Sequence, residues 1–279
     1  MKIKPKKLKI FLSRKISVIA AIGLILMMFA AFVGPFLTSR DPYTMDLHNR
    51  FSGITMENWL GTDWSGRDMF TRLIHGGQIS MGLAFFGVSI GVSFGLVFGL
   101  IAGYYGGILD AVISRFIDFL MAVPAFMIAI IALALLGAGG INTGIAVGVS
   151  TIPLFMRMTR SQVIAIKDSD YVKSCRIIGV SDLRIVMTHV LPGIWPLIAV
   201  TFTLQLGTAL LTAAALSFLG IGVAPPTPEW GALLADGRVF MLAFPLGTIA
   251  PGIAIMLFVM FTSLVGDGLR DALDPKSVE

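Results

Sequence analysis

The sequence contains few charged residues, and they are unevenly placed. Only 13% of the 279 residues are Asp, Glu, Lys or Arg, whereas 56% are hydrophobic and the mean hydropathy is +0.88. A soluble domain carries about 25% charged residues. The ranges with no charged residue at all are 16–39, 73–109, 119–156, 185–228 and 239–266. Because a helix needs about 20 apolar residues to cross the hydrocarbon core, the sequence predicts an all-α integral membrane protein.

Groups for catalysis and metal binding are scarce too. Cys175 is the only cysteine, so no internal disulfide is expected, and the three histidines are far apart in the sequence. The phosphate-binding pattern G-x-x-x-x-G-K-[ST] is missing, as are C-x-x-C, H-E-x-x-H and G-x-S-x-G. We therefore expect no catalytic residue, no metal site and no cofactor bound by this chain.

The predicted span centres also lack ionisable residues. Ion-coupled carriers and proton pumps need such residues within the membrane to bind and release the driving ion. This absence argues against a self-contained carrier, and the missing nucleophiles and acid–base pairs argue against a membrane enzyme. Two readings stay open, a passive pore and a chain that another polypeptide drives.

Six membrane spans fit into the uncharged ranges. Four ranges hold one span each, and 119–156 is long enough for two with a turn at 137–140. The predicted spans are 16–37, 79–103, 116–136, 142–159, 195–219 and 246–266. The first could instead be the apolar region of a cleaved signal peptide, but its length favours a retained anchor.

The placement of Lys and Arg predicts the orientation. Most of the 21 basic residues fall in the tail 1–15, in 104–115, in 157–194 and at the C-terminus, which six spans put on one side. The positive-inside rule makes that side cytoplasmic, where the thiol of Cys175 stays reduced. Anionic lipid headgroups account for the basic tail better than nucleic acid does.

Two extracytoplasmic segments follow from this orientation. The segment 38–77 carries mixed charges with Trp59 and Trp64, and it is either an amphipathic surface segment or a landing place for an external partner. The segment 220–231 has three prolines and three glycines, which predict a shaped or re-entrant loop without helix. At the far end, Gly266 and Gly268 are expected to break the sixth helix.

The second predicted span carries a stripe of glycines. They recur every four residues and so share one helix face. Such a stripe lets another helix backbone approach closely. Packing within the subunit is the default interpretation, and a subunit interface or a lining of the substrate path are the alternatives. The stripe consists of Gly87, Gly91, Gly95, Gly99 and Gly103.

The most informative segment is a polar stretch between two apolar blocks, residues 168–192, which we call the connector. Asp168, Ser169 and Asp170 are N-cap residue types, and two helical turns with Val172, Cys175 and Ile178 on one side are predicted to follow. Gly179 suits the left-handed position after a helix. A second short helix is expected from 183 to 191, ending at Pro192. A short amphipathic helix of this kind docks into a partner's groove or lies on the membrane as an ordinary connector.

The connector resembles the EAA loop of permease subunits of bacterial ATP-binding-cassette importers. That loop reads E-A-A, three residues, Gly, nine residues, then I-x-L-P. The chain matches it in spacing with Lys173, Ser174 and Cys175 at the E-A-A positions, Gly179 at the glycine and residues 189–192 (HVLP) at the end. Lys, Ser and Cys depart from the family's Glu and Ala, and His189 departs from the general pattern.

Three further stretches are similar to the C-type permease of the peptide/nickel branch of these importers. They are 60–68 (LGTDWSGRD), 216–231 (LSFLGIGVAPPTPEWG) and 266–275 (GDGLRDALDP). Together with the connector, they span nearly the whole chain in the family's order. The resemblance implies a MetI-like type I importer fold with a cytoplasmic coupling helix. In chain order, the expected parts are the tail 1–15, the first span 16–37, the segment 38–77, a five-helix core 78–270 and the tail 271–279.

The resemblance also implies an assembly in a bacterial plasma membrane. The expected partners are a second, B-type permease subunit, two cytoplasmic ATPases that use ATP and Mg²⁺, an extracellular or periplasmic binding protein, and membrane lipids. The expected substrates are di- or oligopeptides, with nickel or a metal chelate as the alternative. The residues expected to couple to the ATPases are Asp170, Tyr171, Val172, Lys173, Ser174, Cys175, Arg176, Gly179, His189, Leu191 and Pro192.

Overall fold

A computed structural model describes residues 10–273 of the chain. Five of the tail lysines, at positions 2, 4, 6, 7 and 9, and the C-terminal residues 274–279 lie outside the described residues. Of the tails 1–15 and 271–279, the structure describes only residues 10–15 and 271–273.

The described residues are helical apart from loops and one isolated bridge between Thr62 and Asp68. This agrees with the predicted all-α class. The α-helices, in chain order, are α1 (Lys15–Phe32), α2 (Gly34–Leu37), α3 (Met69–Tyr105), α4 (Gly107–Met121), α5 (Ala125–Leu136), α6 (Gly140–Lys167), α7 (Asp170–Ile177), α8 (Asp182–Ile185), α9 (Leu191–Phe218), α10 (Trp230–Val239) and α11 (Leu246–Leu273). A 3₁₀ turn at Leu47–Asn49 and a π-helical turn at Val186–Val190 lie between them, and residues 10–13 are helical as well.

Within residues 10–273, four continuous helical stretches are long and apolar enough to cross a membrane: α1, α3, Asp182–Phe218 and α11. A fifth crossing results if α4 and α5 are taken together. The predicted span 142–159 lies inside α6, which also carries Arg157 and Arg160. The membrane-protein class is therefore confirmed, and the count of six spans stays a prediction.

The third predicted span, 116–136, is wrong as a single straight helix. α4 and α5 meet at an angle of 94°. Pro124 lies at the break, where it lacks a backbone N–H and disfavours the helical conformation of Val123. At the other end of α4, Gly106 and Gly107 turn the chain away from α3 with φ values of +70° and +59°.

α3 and α6 lie side by side along the glycine stripe. Val147, Thr151, Phe155, Thr159 and Val163 of α6 stand opposite Gly87, Gly91, Gly95, Gly99 and Gly103 in turn. Residue numbers rise together along both helices, so the helices run parallel. A Cβ atom added at Gly95 would lie 2.5 Å from the Cβ of Phe155. The stripe therefore faces a helix of the same subunit, and the parallel packing requires 106–139 to lead the chain back to the end at which α3 began.

Two expectations about helix breaks are wrong. α11 continues through Gly266 and Gly268 to Leu273, because both glycines lie at close helix contacts, with Leu204 and with Ser17. The loop predicted at 220–231 ends earlier, since α10 begins at Trp230. The carboxylate of Glu229 caps α10 by accepting from the N–H of Ala232 at 2.9 Å, and it also accepts from the hydroxyl of Ser80 on α3 at 2.8 Å.

Residues 69–77 of the segment 38–77 belong to α3, which begins at Met69. Residues 38–68 fold over the start of α3. The buried side chains of Asp63 and Arg67 form an ion pair at 2.7 Å, and buried Arg72 of α3 lies 3.6 Å from the same carboxylate. Because buried charges need partners, this pairing fixes the segment to the helix.

Candidate functional site

The connector begins with α7. Ser169 holds the N-cap position with an extended backbone, but its hydroxyl donates back to the carbonyl of Ile166 at 2.5 Å instead of capping α7. α7 ends at Ile177, and Gly179, two residues further on, has a φ of +81°. The N–H of Val180 donates to the carbonyl of Cys175 and that of Gly179 to Arg176, both at 3.0 Å, which is the Schellman pattern of a left-handed helix end. Gly179 thus turns the chain as the sequence indicated.

α7 has an anchor within its own chain. Val172 is fully buried, and it belongs to an apolar cluster with Tyr104 of α3 and Val163 of α6. Ile185, Val190, Ile194 and Ile198 complete the buried part of that cluster. The expected face of Val172, Cys175 and Ile178 is therefore wrong: Cys175 is partly buried behind Val172, but Ile178 is 76% exposed, because the helix ends before reaching it.

Polar contacts fix the turn after α7 to the end of α3. The hydroxyl of Tyr104 donates to the carboxylate of Asp182 at 2.5 Å. The guanidinium of Arg176 lies 4.9 Å from the centre of the Tyr104 ring, and its Nε is 4.0 Å from the same carboxylate. The contact with Tyr104 raises the pKa of Arg176 above its ordinary value. The three side chains join α7, the start of α8 and α3, the helix with the glycine stripe.

His189 joins the two halves of the connector. Its Nε2 lies 3.8 Å from the sulfur of Cys175, and its Nδ1 is 2.6 Å from the hydroxyl of Thr188. The ring of Tyr171 stands 6.2 Å from the imidazole, centre to centre. The structure therefore brings Tyr171, Cys175 and His189 of the predicted set together.

The second half of the connector differs from the prediction. No helix ends at Pro192, because the residue directly follows the π-helical turn Val186–Val190 and lies within a continuous helical course. The helical course from Asp182 passes through the π-helical turn Val186–Val190 and continues to Phe218. Leu191 packs against the cluster around Val172. The connector is thus joined directly to the long helix α9.

Large apolar side chains remain exposed around α7. Ile177 is 85% exposed and Leu183 71%. Tyr171, Ile178 and Met187 are exposed as well, and so are the polar residues Asp170, Lys173, Ser174 and Arg176. A group of exposed apolar side chains on a polar segment is typical of a docking surface. We call Tyr171, Ile177, Ile178, Leu183 and Met187 the docking face.

Sequence reasoning missed Tyr104, Asp182, Leu183 and Met187. Tyr104 directly follows the last glycine of the stripe, so the sequence indicates its position at the C-terminal end of a packed helix but not its partner 78 residues away. Leu183 and Met187 fall in the second short helix that the sequence predicts, but nothing in the sequence indicated that their side chains are exposed. Among residues 10–273, no three His, Cys, Asp or Glu side chains are grouped so that they could hold a metal ion.

Comparison with known families gives two matches. Residues 95–278 match the family described as binding-protein-dependent transport system inner membrane component. Residues 8–53 match the N-terminal TM domain of oligopeptide transport permease C. The first match covers more than half of the chain and includes the whole connector.

Individual proteins are similar over almost the full length. The glutathione transport system permease protein GsiD of Shigella flexneri is 43% identical over 267 residues, which cover 95% of this chain and 88% of that protein. The dipeptide transport system permease protein DppC of Alkalihalophilus pseudofirmus is 41% identical over 261 residues, covering 92% and 86%. Among solved structures, the inward-facing MetNI methionine ABC transporter has a chain with a TM-score of 0.60 at 17% identity, over 73% of this chain and 96% of that one, which shows a shared fold.

Proposed function

This chain belongs to the family of binding-protein-dependent transport system inner membrane components, as an ABC importer permease of the C type, and from that premise we propose that it imports short peptides and is driven through its connector. It is a multi-pass inner-membrane subunit and not an enzyme, since separate ATPase subunits hydrolyse ATP in this family. Such a permease works with another permease, with ATPases and with a binding protein.

The observation that carries the coupling role is the docking face above its own buried anchor. Ile177 and Leu183 are exposed, while Val172 on the same helix as Ile177 is fully buried. A surface helix with no buried side chain would move without displacing the rest of the subunit. α7 is held by Val172, so a displacement of α7 is passed to α3 and α6, which Val172 contacts. We therefore propose that the docking face enters a surface cleft of a cytoplasmic ATPase.

Force applied to α7 has two routes into the membrane. One passes through Tyr104 into α3 and from there into α6. The glycine stripe packs these two helices so closely that they move as one body. The other passes through the π-helical turn into α9. In our proposal, two ATPases close on ATP and Mg²⁺, the connectors of this subunit and of a B-type partner move together, and the pathway between the two permeases changes the side to which it opens.

Peptides are the proposed substrate class. The relatives described above are named for glutathione, which is a tripeptide, and for dipeptides. This favours peptides over the nickel or metal-chelate alternative. In the assembly we propose, an extracellular or periplasmic binding protein delivers the peptide, and both termini of this subunit face the cytoplasm.

The coupling role is tested by placing a charge on the docking face. We expect Ile177→Asp to abolish ATP-dependent peptide uptake and to release the ATPases during purification in mild detergent, because the charge prevents burial in an apolar cleft. Leu242→Asp is the matched control, since Leu242 is fully exposed and lies in the turn between α10 and α11, outside the connector. Normal uptake and normal ATPase retention by Ile177→Asp would refute the proposal.

The substrate class is tested in proteoliposomes that hold the complete transporter. The wild-type complex, supplied with binding protein and ATP, should accumulate radiolabelled di- or tripeptides and leave ⁶³Ni²⁺ outside. Accumulation of nickel without peptide would reverse the assignment. Mass spectrometry of the ligand that co-purifies with the binding protein gives an independent answer.

A further inference from the structure

A cavity of about 290 Å³ lies where the break between α4 and α5 meets the middle parts of α6 and α9. The wall at the break is formed by Leu120, Met121, Val123, Pro124, Ala125 and Ile128. The polar lining is uncharged, and it consists of Ser150 and Thr151 from α6 and Gln205, Thr208 and Thr212 from α9. The three residues of α9 are spaced by three and four positions, so they lie on one face of that helix.

Gln205 is the residue that sets this cavity apart. It lies halfway along α9, which runs from Leu191 to Phe218. Its side chain is only partly buried, and within residues 10–273 its amide has no hydrogen-bond partner. The neighbouring hydroxyl groups differ in this respect. Ser150 donates to the carbonyl of Val147 at 2.7 Å, and Thr151 donates to that of Gly148 at 2.8 Å.

An unpaired amide at this depth requires a polar neighbour. The hydrocarbon core offers no hydrogen bonds, and an unsatisfied polar group there is costly. The adjacent break between α4 and α5 adds free backbone groups at two helix ends. Interrupted helices occur at membrane depth only where they are buried in protein or line a water-filled cavity, and in other transporters such interruptions mark substrate sites. Both features place polar solvent or solute in this cavity.

We propose that this cavity is a substrate contact within the translocation pathway, and that Gln205 recognises the amide groups of a passing peptide backbone. The side-chain carbonyl of Gln205 accepts from a peptide N–H, and its amino group donates to a peptide carbonyl. Because no charged residue lines the cavity, peptides with different side-chain charges meet the same contact. The inference rests on the proposed peptide-import function and assigns a site to it.

Transport by substituted complexes tests this assignment. We expect Gln205→Leu to lower the rate of peptide uptake by about tenfold, as loss of a hydrogen bond to the substrate would, with ATPases retained and ATP hydrolysis unimpaired. Thr203→Val is the control, because the hydroxyl of Thr203 donates to the carbonyl of Ala199 at 2.9 Å on the same helix and lies outside the cavity. Uptake by Gln205→Leu equal to that of the control would overturn the inference.

Backbone-methylated peptides separate recognition of amides from a general loss of transport. The wild-type complex should discriminate against an N-methylated dipeptide, and Gln205→Leu should transport the methylated and plain dipeptides at similar rates. An unchanged ratio in Gln205→Leu would contradict amide recognition. If the wild-type complex accumulates no peptide at all, the proposed function itself fails, and that result is distinct from the failure of this site.

Accessibility provides a readout that does not depend on transport rate. In a Cys175→Ser background, which leaves no other cysteine, Gln205→Cys should react with a water-soluble methanethiosulfonate reagent and be protected by peptide. Thr203→Cys should react slowly and without protection by peptide, because Thr203 does not line the cavity. If Gln205→Cys is inert and Gln205→Leu instead fails to assemble with the second permease, the amide is bound by that subunit and the inference is overturned.

Discussion

Gly179 holds a backbone conformation, φ +81°, that residues with a side chain adopt only with strain. A Cβ atom added there would meet no other atom within 4 Å. Any effect of a substitution at this position therefore comes from the backbone and not from crowding, which makes Gly179 a clean probe of the turn that follows α7.

We expect Gly179→Ala to destabilise the turn by about 1–2 kcal/mol. The corresponding loss of ATP-driven uptake is about tenfold. Gly179→Asn should lose less, because Asn tolerates the left-handed conformation. Gly53→Ala is the control, since Gly53 is equally free of neighbours and lacks the positive φ. Uptake in proteoliposomes gives the measurement, and equal losses for Ala and Asn would contradict a backbone cause.

Tyr104 carries the contact between the connector and α3. We expect Tyr104→Phe to keep the apolar cluster and the ring beneath Arg176, and to lose only the hydrogen bond to Asp182, which costs about 1 kcal/mol. The predicted result is more ATP hydrolysed per peptide imported, with the complex intact. Tyr105→Phe is the matched control, because Tyr105 is adjacent and 59% exposed. A coupling ratio that stays at the wild-type value would exclude this route.

At the scale of helices, α3 and α6 form a packed pair that depends on the absence of side chains along one face. Five glycines on α3 face five residues of α6 at a regular offset. Since interiors are close-packed and deform little, one added methyl group has nowhere to go. In our proposal, this rigidity carries a force applied at the connector to the middle of the membrane.

We expect Gly95→Ala to destabilise the subunit by about 1–3 kcal/mol, because its Cβ would lie 2.5 Å from that of Phe155 and 2.9 Å from the backbone nitrogen of Met156. Gly82→Ala is the control on the same helix, since a Cβ at Gly82 meets nothing within 4 Å. Thermal unfolding in detergent gives the measurement. A melting temperature for Gly95→Ala no lower than that of Gly82→Ala would contradict the packing argument.

At the scale of the whole molecule, the subunit has a docking face at one end and the 38–68 segment at the other. Our orientation places the docking face in the cytoplasm. The orientation can be tested by cysteine labelling in intact cells, because the chain has only one native cysteine, Cys175. In a Cys175→Ser background, we expect Met56→Cys and Leu242→Cys to react with a membrane-impermeant maleimide from outside, as both positions are almost fully exposed.

Ile177→Cys should react with the same reagent only after the cells are made permeable, in a strain that lacks the ATPases so that the docking face is free. Its side chain is 85% exposed, so slow labelling from outside would reflect the membrane and not burial. Labelling of Ile177→Cys in intact cells would reverse the orientation and remove the proposed coupling role.

The sequence by itself determined the membrane class, the approximate positions of the spans, the family, and the connector with its turn at Gly179. The family followed from the resemblance of the connector and three further stretches to known permeases. The other three depend on local composition or on short-range pattern: charge is excluded from hydrocarbon over continuous segments, and a left-handed turn selects glycine at one position. These signals need no knowledge of which segments meet.

Only the tertiary structure decided which residues act together. The sharp bend at Pro124, the continuous path through Pro192 and the unbroken α11 all depend on neighbouring helices that supply contacts where local propensity alone would end a helix. The contact between Tyr104 and Asp182, the buried Val172, the partly buried Gln205 and the partner of each stripe glycine result from packing between segments distant in sequence. Periodicity shows that a face exists, and what that face meets is set by the three-dimensional arrangement of the helices.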